Sequence, residues 1–257
     1  MIKKLGLQLY TIRSTMDTAE NIRASFKKLR ELGYEVGQTA GCAIDYVEYG
    51  KIAKEEGIEI CGTHDNYDIM VNDIDRAIAN HKALGTTNMG IGGCNAQKDG
   101  VAGVEKFIEQ ANKIADRAYE EGMKFTYHNH SHEFMRLPNG KTMMEMLVEG
   151  LDPKKTSFVL DTYWVQHGGA DIRRLIERLS GRIDILHLKD MAAYHPETKA
   201  PYYTQVGDGN IDMKDIVAHA ENHGVKYFVV EQDGNFEIDS VSSIKKSFDF
   251  LKANVME

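Results

Sequence analysis

The segment Phe158-Val159-Leu160-Asp161 is the clearest indication of the fold, because a short apolar run that suits a buried strand ends there on a carboxylate. The same design returns in Ile185-Leu186-His187 and in Phe228-Val229-Val230-Glu231. The carboxyl ends of parallel strands meet at one mouth of a barrel. The repeated pattern therefore predicts that the three charged side chains converge there.

Outward from these segments, short apolar stretches alternate with longer amphipathic ones about eight times, as in consecutive parallel βαβ units. Glycines such as Gly33, Gly85 and Gly122 follow the amphipathic stretches and suit the left-handed residue that ends a helix. The 257 residues match the length typical of one eight-fold barrel. We therefore predict an α/β fold, a (β/α)8 TIM barrel, with residues 1–257 as a single domain. Strands are predicted over 5–10, 34–39, 58–63, 87–91, 123–129, 157–160, 182–188 and 227–230.

A doubly wound open sheet is the alternative architecture. It is disfavoured because no GxGxxG motif opens the first predicted helix, and because the charged strand ends belong to the last four strands.

Composition excludes several function classes. The net charge of −8 repels phosphate backbones, so no nucleic-acid partner is expected. No stretch approaches 18 consecutive apolar residues, so no membrane partner is expected either. The N-terminal residues run into a strand pattern without the features of a signal peptide, and the three cysteines have no CxxC spacing. Together these features predict a cytoplasmic protein with reduced thiols.

The clustered residue types predict a metal site. Carboxylate and imidazole ligands suit Mn²⁺, Co²⁺, Mg²⁺ or Zn²⁺, and the absence of thiolates argues against a structural zinc site. Such an ion can hold vicinal oxygens of a sugar and acidify the C–H beside a carbonyl, while a carboxylate moves the proton. No phosphate-binding loop and no cluster of basic residues is visible, so we expect a small, unphosphorylated sugar or sugar derivative as the partner molecule.

Several segments in their order along the chain resemble the sugar phosphate isomerase/epimerase family of the xylose-isomerase-like barrel superfamily. They are GLQLYTIR (6–13), YHNHSHEF (127–134), LDTYW (160–164), HLKD (187–190) and VGDGNI (206–211). In the ketose 3-epimerases of that superfamily, the metal ligands are Glu, Asp, His and Glu from strands five to eight, and the two glutamates act as acid and base. The resemblance implies that Asp161, His187 and Glu231 are metal ligands and that Glu231 is catalytic. It also implies a homo-oligomer, since barrels of this family are often dimers or tetramers.

The first ligand departs from the family pattern, because strand five carries no glutamate. Glu133 lies just after that strand and is the favoured fourth ligand, since its carboxylate restores the charge and supplies a second acid or base. His128 and His130 are the alternatives. The catalytic candidates are thus Glu133, Glu231 and His128.

Five further residues are candidates for binding substrate. Trp164, the only tryptophan, stands where ketose epimerases often carry a histidine and offers a flat face to a sugar ring, with core packing as the alternative. The other four lie near predicted strand ends, with structural or solvated roles as the alternatives: His64, Lys189, His130 and Gln8. The long loop over residues 191–210 is a lid, a contact to a neighbouring subunit or a surface insertion.

The favoured function is that of a sugar isomerase or epimerase that forms an enediolate, with Glu231 and Glu133 exchanging one proton and Mn²⁺ as the favoured ion. The alternative is a lyase on the same scaffold, of the kind represented by inosose dehydratases and by enzymes that eliminate the aglycone from 3-keto-glycosides. His128, His130 or His64 would then serve as a separate acid. A sugar-binding protein without catalysis is the third hypothesis.

Overall fold

Ten strands form a barrel and one hairpin in the computed structural model, which describes residues 2–256. The barrel strands are β1 Gly6–Gln8, β2 Val36–Thr39, β3 Glu59–Thr63, β4 Asn88–Ile91, β5 Lys124–His128, β6 Thr156–Asp161, β7 Ile183–Leu188 and β10 Tyr227–Val230. They are hydrogen bonded in the order β3-β2-β1-β10-β7-β6-β5-β4 and run parallel. The prediction of a TIM barrel is confirmed.

Helices cover the outside of the barrel, because each carries one apolar face toward the strands and a polar face toward solvent. They are α1 Ala19–Leu32, α2 Tyr46–Glu55, α3 Tyr67–Asn72, α4 Ile74–Leu84, α5 Gly100–Glu120, α6 Met143–Gly150, α7 Thr162–His167, α8 Ile172–Arg178, α9 Met213–Asn222 and α10 Ser240–Asn254. Among the described residues, none of these helices is both long and apolar enough to cross a membrane.

The barrel is closed less completely between β3 and β4 than elsewhere, since no regular ladder joins these two strands within residues 2–256. Side chains bridge the gap: Asn88 Nδ2 donates to Cys61 O at 2.8 Å, and Gly90 N donates to Thr63 Oγ1 at 3.0 Å. Gly90 is required here, because a Cβ would lie 2.2 Å from Thr63 O and 2.4 Å from Thr126 Oγ1.

Three local features differ from the predictions. The first strand ends at Gln8, where the side-chain Oε1 accepts a hydrogen bond from Tyr10 N and starts the 3-10 turn Leu9–Thr15. Two short helices, α3 and α7, were not predicted, since six residues are too few for a clear helical period. The loop over residues 191–210 contains most of an antiparallel hairpin, formed by β8 Asp190–Ala192 and β9 Tyr202–Thr204.

Candidate functional site

Four buried side chains bring imidazole nitrogens and carboxylate oxygens together at the barrel mouth: His128, Asp161, His187 and Glu231. One ligand atom of each lies within 4.8 Å of the others. Asp161 Oδ2 is 3.4 Å from His128 Nε2 and 3.5 Å from His187 Nδ1. Glu231 Oε2 lies 2.9 Å from His187 Nδ1. The predicted convergence of Asp161, His187 and Glu231 is thus present in the geometry.

Strand register produces this convergence. Asp161 is the direct neighbour of His187 across β6 and β7. His128 is the neighbour of Val159, two residues before Asp161, and side chains two residues apart along a strand face the same side. Glu231 follows β10 directly, so that all four side chains turn to the mouth.

The distances and donor types suit a divalent cation. Ligand atoms about 2.1 Å from one ion are roughly 3.0 to 3.4 Å apart in octahedral or tetrahedral coordination. The spacings above lie close to this range. In addition, Gln38 Oε1 lies 2.5 Å from His187 Nε2 and accepts a hydrogen bond from it, so that Nδ1 faces the carboxylates and is the nitrogen that would bind an ion after losing its proton. The cluster can therefore hold a metal ion, with Gln38 orienting one ligand.

Lys189 adds a buried cation to the site. Its Nζ lies 3.2 Å from Glu231 Oε2, 3.6 Å from Asp161 Oδ2 and 2.6 Å from Asp233 Oδ2. Burial opposes its charge, but the carboxylates of Glu231, Asp161 and Asp233 raise its pKa, so the ammonium persists.

The other charges of the cluster are stabilised mutually. Burial alone would raise the pKa of Asp161, but the Lys189 ammonium and the neighbouring histidines lower it to about 2. Burial alone would lower the pKa of His187, but the Glu231 and Asp161 carboxylates raise it to about 9. Burial likewise works against ionised Glu231, yet Lys189 and His187 hold its pKa well below the ordinary value. Both carboxylates are therefore ionised at neutral pH.

The structure corrects the expected place of Glu133, which lies outside the four-residue cluster. Its Oε1 accepts a hydrogen bond from Tyr127 Oη at 2.8 Å, and its Oε2 accepts from His130 N at 2.9 Å. With His130 and His132 it forms a second group of potential metal ligands. The 3-10 turn His132–Phe134 directs the carboxylate back to its own loop. His128, one of the two alternatives named from the sequence, supplies the fourth potential ligand atom of the cluster.

Three of the five candidate substrate-binding residues line a cavity of about 350 Å³ at the mouth: His64, His130 and Lys189. Burial and the nearby histidine charges lower the pKa of His64 well below its ordinary value, and burial and His128 lower that of His130 to about 3. Both imidazoles are therefore neutral at pH 7.

The other two candidates stand behind this cavity. Gln8 is fully buried, and its Nε2 lies 3.2 Å from His64 Nδ1, so it positions the imidazole from below. Trp164 packs against His130, with ring centroids 5.2 Å apart, and its ring centroid lies 5.1 Å from Lys189 Nζ. Trp164 forms a wall behind the cavity-lining residues.

Sequence reasoning missed Gln38 and Asp233. Asp233 also lines the mouth cavity, and its backbone oxygen accepts a hydrogen bond from Arg13 Nη2 at 3.2 Å. Its position two residues after Glu231 was an available signal, whereas Gln38 carried no signal, since an amide at a strand end is common. The loop that contains most of the β8–β9 hairpin was expected to be a lid, a contact to a neighbouring subunit or a surface insertion. Its residue Tyr203 lies 5.0 Å from Lys189 Nζ, beside the mouth.

The buried carboxylate Asp190 holds the base of this hairpin. Its Oδ2 accepts hydrogen bonds from the backbone amides of Gly207 and Gly209, and its Oδ1 accepts from those of Met191 and Ile211. Four amide donors on one carboxylate fix the segment 206–211 against β8.

Comparison with known proteins agrees with this architecture. A family model described as the xylose isomerase-like TIM barrel matches residues 26–254. An inosose dehydratase of Geobacillus thermodenitrificans is 30% identical over 139 residues, which cover 49% of this chain and 46% of that protein. The chain thus spans about half the length of the curated relatives it matches.

Two solved structures are similar over nearly the whole length. A sugar phosphate isomerase/epimerase from Parabacteroides distasonis superposes with a TM-score of 0.82 and 22% identity, covering 98% of this chain and 94% of that one. A probable 3-DHS dehydratase from Bacillus anthracis superposes with a TM-score of 0.74 and 13% identity, covering 97% and 98%. At these identities the likeness shows the fold alone.

Proposed function

The chain belongs to the xylose isomerase-like TIM barrel family, and from this premise we propose that it is a metal-dependent lyase acting on a small, unphosphorylated sugar-derived ketone. The proposed reaction removes the proton beside the carbonyl and expels the substituent on the next carbon. The observation that carries this proposal is the buried set His128, Asp161, His187 and Glu231, which meets at the barrel mouth beside one buried lysine.

The four residues of this set would hold a divalent ion, with Mn²⁺ favoured and Mg²⁺, Co²⁺ or Zn²⁺ as alternatives. When bound, such an ion polarises the carbonyl and stabilises the negative charge that develops on its oxygen. The Lys189 ammonium, held by Asp233, supplies a second positive charge next to the same position.

In this proposal Glu231 transfers the proton and His64 assists with a hydrogen bond. Glu231 is ionised and lines the cavity, so it accepts the proton beside the carbonyl. The C–H electron pair forms the carbon–carbon double bond, and the bond to the β-substituent breaks with its electron pair going to the departing oxygen. Glu231 then passes its proton to that oxygen. His64 Nδ1 faces the Gln8 amide, which places the ring proton on Nε2. That N–H donates a hydrogen bond to the departing oxygen.

The position of Glu133 favours elimination over isomerisation. An epimerase of the expected type returns the proton through a second glutamate, but the Glu133 carboxylate is engaged by Tyr127 Oη and the His130 amide. The inosose dehydratase relatives support the same preference. Isomerisation or epimerisation is the second candidate, because it shares the first proton transfer and is supported by the proximity of Asp161, His187 and Glu231.

The test is incubation of the Mn²⁺-loaded protein with an inosose in D₂O, followed by mass spectrometry of the products. Loss of one water, absent in Asp161→Asn, is the expected result. An unchanged skeleton that gains deuterium would assign the isomerase or epimerase instead. The proposal is overturned if the protein catalyses neither deuterium exchange nor elimination on an inosose or on a 3-keto-glucoside.

A further inference from the structure

Lys189 lies at the point where the chain leaves the barrel. β7 ends at Leu188 and β8, the first strand of the hairpin, begins at Asp190, so Lys189 belongs to neither strand. The pairing of β7 with its neighbours also stops before Lys189, with β10 at Leu188 and with β6 at His187. The backbone N–H and C=O groups of this buried residue must therefore find partners outside the sheet.

The hydroxyl group of Thr162 is the partner of both groups. Thr162 Oγ1 accepts a hydrogen bond from Lys189 N at 3.1 Å and donates to Lys189 O, which lies 2.8 Å away. The same hydroxyl lies 3.0 Å from His187 O, but it has only one proton, and the carbonyl of Lys189 is the closer acceptor. Within residues 2–256, neither backbone atom of Lys189 has another hydrogen-bond partner. Since Thr162 is fully buried, water does not compete for its hydroxyl.

The position of Thr162 is itself fixed. It follows Asp161 directly and is the first residue of α7. Asp161 Oδ1 accepts a hydrogen bond from Trp164 N at 3.0 Å and so caps this helix. The junction of β6 and α7 therefore carries two groups of the site: the Asp161 carboxylate and, on the next residue, the hydroxyl that holds Lys189.

The place of the Lys189 ammonium depends on this backbone anchor. A lysine side chain is a flexible chain of four carbons. The ion pairs of Nζ with Asp233, Glu231 and Asp161 hold only its far end. A backbone that is free to shift with the hairpin would move the ammonium away from the position where negative charge develops, and a displacement of about 1 Å is enough to slow a reaction strongly.

We propose that Thr162 is a positioning residue of the reaction, because its hydroxyl fixes the backbone of Lys189 and thereby the place of the ammonium. This inference rests on the proposed function, in which Lys189 stabilises the charge that develops on the carbonyl oxygen. Thr162 acts on turnover and not on the ion, since the backbone of His187 stays paired with Asp161 and Val229.

Lysine labelling with an N-hydroxysuccinimide ester, quantified by peptide mass spectrometry, tests the anchor in Mn²⁺ without turnover. Lys189 is 1% exposed, so it should react slowly in the wild type. Thr162→Val keeps the shape of the side chain and removes the hydroxyl, so labelling of Lys189 should become several-fold faster. Labelling of the buried thiol of Cys61 by N-ethylmaleimide should not change, because it reports a general opening of the barrel.

Two variants are the matched controls. Thr162→Ser keeps the hydroxyl, so its Lys189 should react as slowly as in the wild type. Thr39→Val makes the valine substitution at a buried threonine that ends β2, whose hydroxyl has no hydrogen-bond partner in the described part of the chain, and it should leave Lys189 unchanged. If Thr162→Val does not fold, Thr162→Ala takes its place, since water can enter the vacated space.

Turnover of an inosose by the Mn²⁺-loaded protein gives the second readout. In Thr162→Val, kcat should fall about 10- to 100-fold while KM stays within about twofold, because the charge that Lys189 stabilises develops only in the transition state. In Lys189→Met protein, adding Thr162→Val should have almost no further effect on kcat, since the ammonium that Thr162 positions is already absent.

Three outcomes would overturn the role of Thr162. Losses of kcat that multiply in the double variant, or a metal affinity that falls together with kcat, would show a general structural role. Wild-type labelling of Lys189 and wild-type kcat in Thr162→Val would remove Thr162 from the site and keep the proposed function. A wild type that shows the expected labelling but neither deuterium exchange nor elimination would instead remove the proposed function, and the role of Thr162 with it.

Discussion

Two groups of imidazoles and carboxylates lie near the mouth, and they differ in what their polar atoms already do. In the first, His128, Asp161, His187 and Glu231 face one another with oxygens and nitrogens 2.9 to 3.5 Å apart. The second group consists of His130, His132 and Glu133. Most of its potential metal-ligand atoms already form hydrogen bonds with other partners. Both Glu133 oxygens accept hydrogen bonds, and His132 Nε2 contacts Cys94 O at 2.9 Å.

Residue composition alone therefore does not make a metal site. A ligand atom must have its lone pair free and aimed at a common point, and its other atoms must be held by outer partners. In the first group, Gln38 is the outer partner that holds Nε2 of His187. In the second group the hydrogen bonds stabilise a loop, and we expect no role in holding the ion.

Asp161→Asn should produce the largest effect that separates the two groups. The amide keeps the oxygen that accepts from Trp164 N, so α7 retains its cap, but the negative charge is lost. We expect loss of the bound ion and a fall in turnover of about 10³-fold or more. Metal analysis and product assays on the same samples check this, and full activity in the variant would remove Asp161 from the site.

The pH dependence of metal-free protein should show the charge coupling of the first group. The pKa of His187 rises from its ordinary 6.5 to about 9 on folding, because the carboxylates of Glu231 and Asp161 outweigh the effect of burial. Ionised His187 therefore makes its full contribution to the free energy of unfolding below pH 6.5, and this contribution is lost as pH rises through 9. The loss should be on the order of 3 kcal/mol.

Urea unfolding after chelator treatment, at pH 6.5 and 9.5, measures this contribution. His187→Gln is the reference, since other titrating groups cancel in the difference between the two proteins. A pH dependence that is identical in both proteins would show that His187 carries no such coupling.

Gln38→Leu should weaken metal binding about 10- to 100-fold, because His187 loses the partner that orients its ring. The fold should tolerate leucine, since Gln38 Nε2 has no hydrogen-bond partner within the described part of the chain. Competition with a metallochromic chelator gives the affinity, and the melting temperature serves as the folding control. An affinity equal to that of the wild type would mean that His187 needs no orienting partner.

Glu133→Gln should have the smallest effect, and it should change stability without changing metal binding. The amide cannot accept hydrogen bonds at both positions, so we expect a loss of about 1 kcal/mol in the free energy of unfolding. Metal content should equal that of the wild type. If the ion is lost as in Asp161→Asn, Glu133 returns to the ligand set and the contrast between the two groups fails.

The charged residues at the ends of β6, β7 and β10 could be read from the sequence because their signal is local. An apolar run followed by a charged residue needs no knowledge of the rest of the chain, and parallel pairing then brings such strand ends together. For the same reason the barrel and the approximate bounds of most strands could be predicted. The choice between Glu133 and His128 was not local, since it depends on how the 3-10 turn after β5 is placed against Tyr127.

Sequence alone was enough to predict the alternating strand–helix architecture and the charged residues near the ends of its last strands, because period and polarity are properties of neighbouring residues. The partners of those charged residues depend on the tertiary structure. Gln38 and His187 are 149 positions apart, and the mouth cavity is built from segments that meet only after the strands pair. Contacts of this kind depend on distances across the closed barrel, which the order of residues along one strand does not encode.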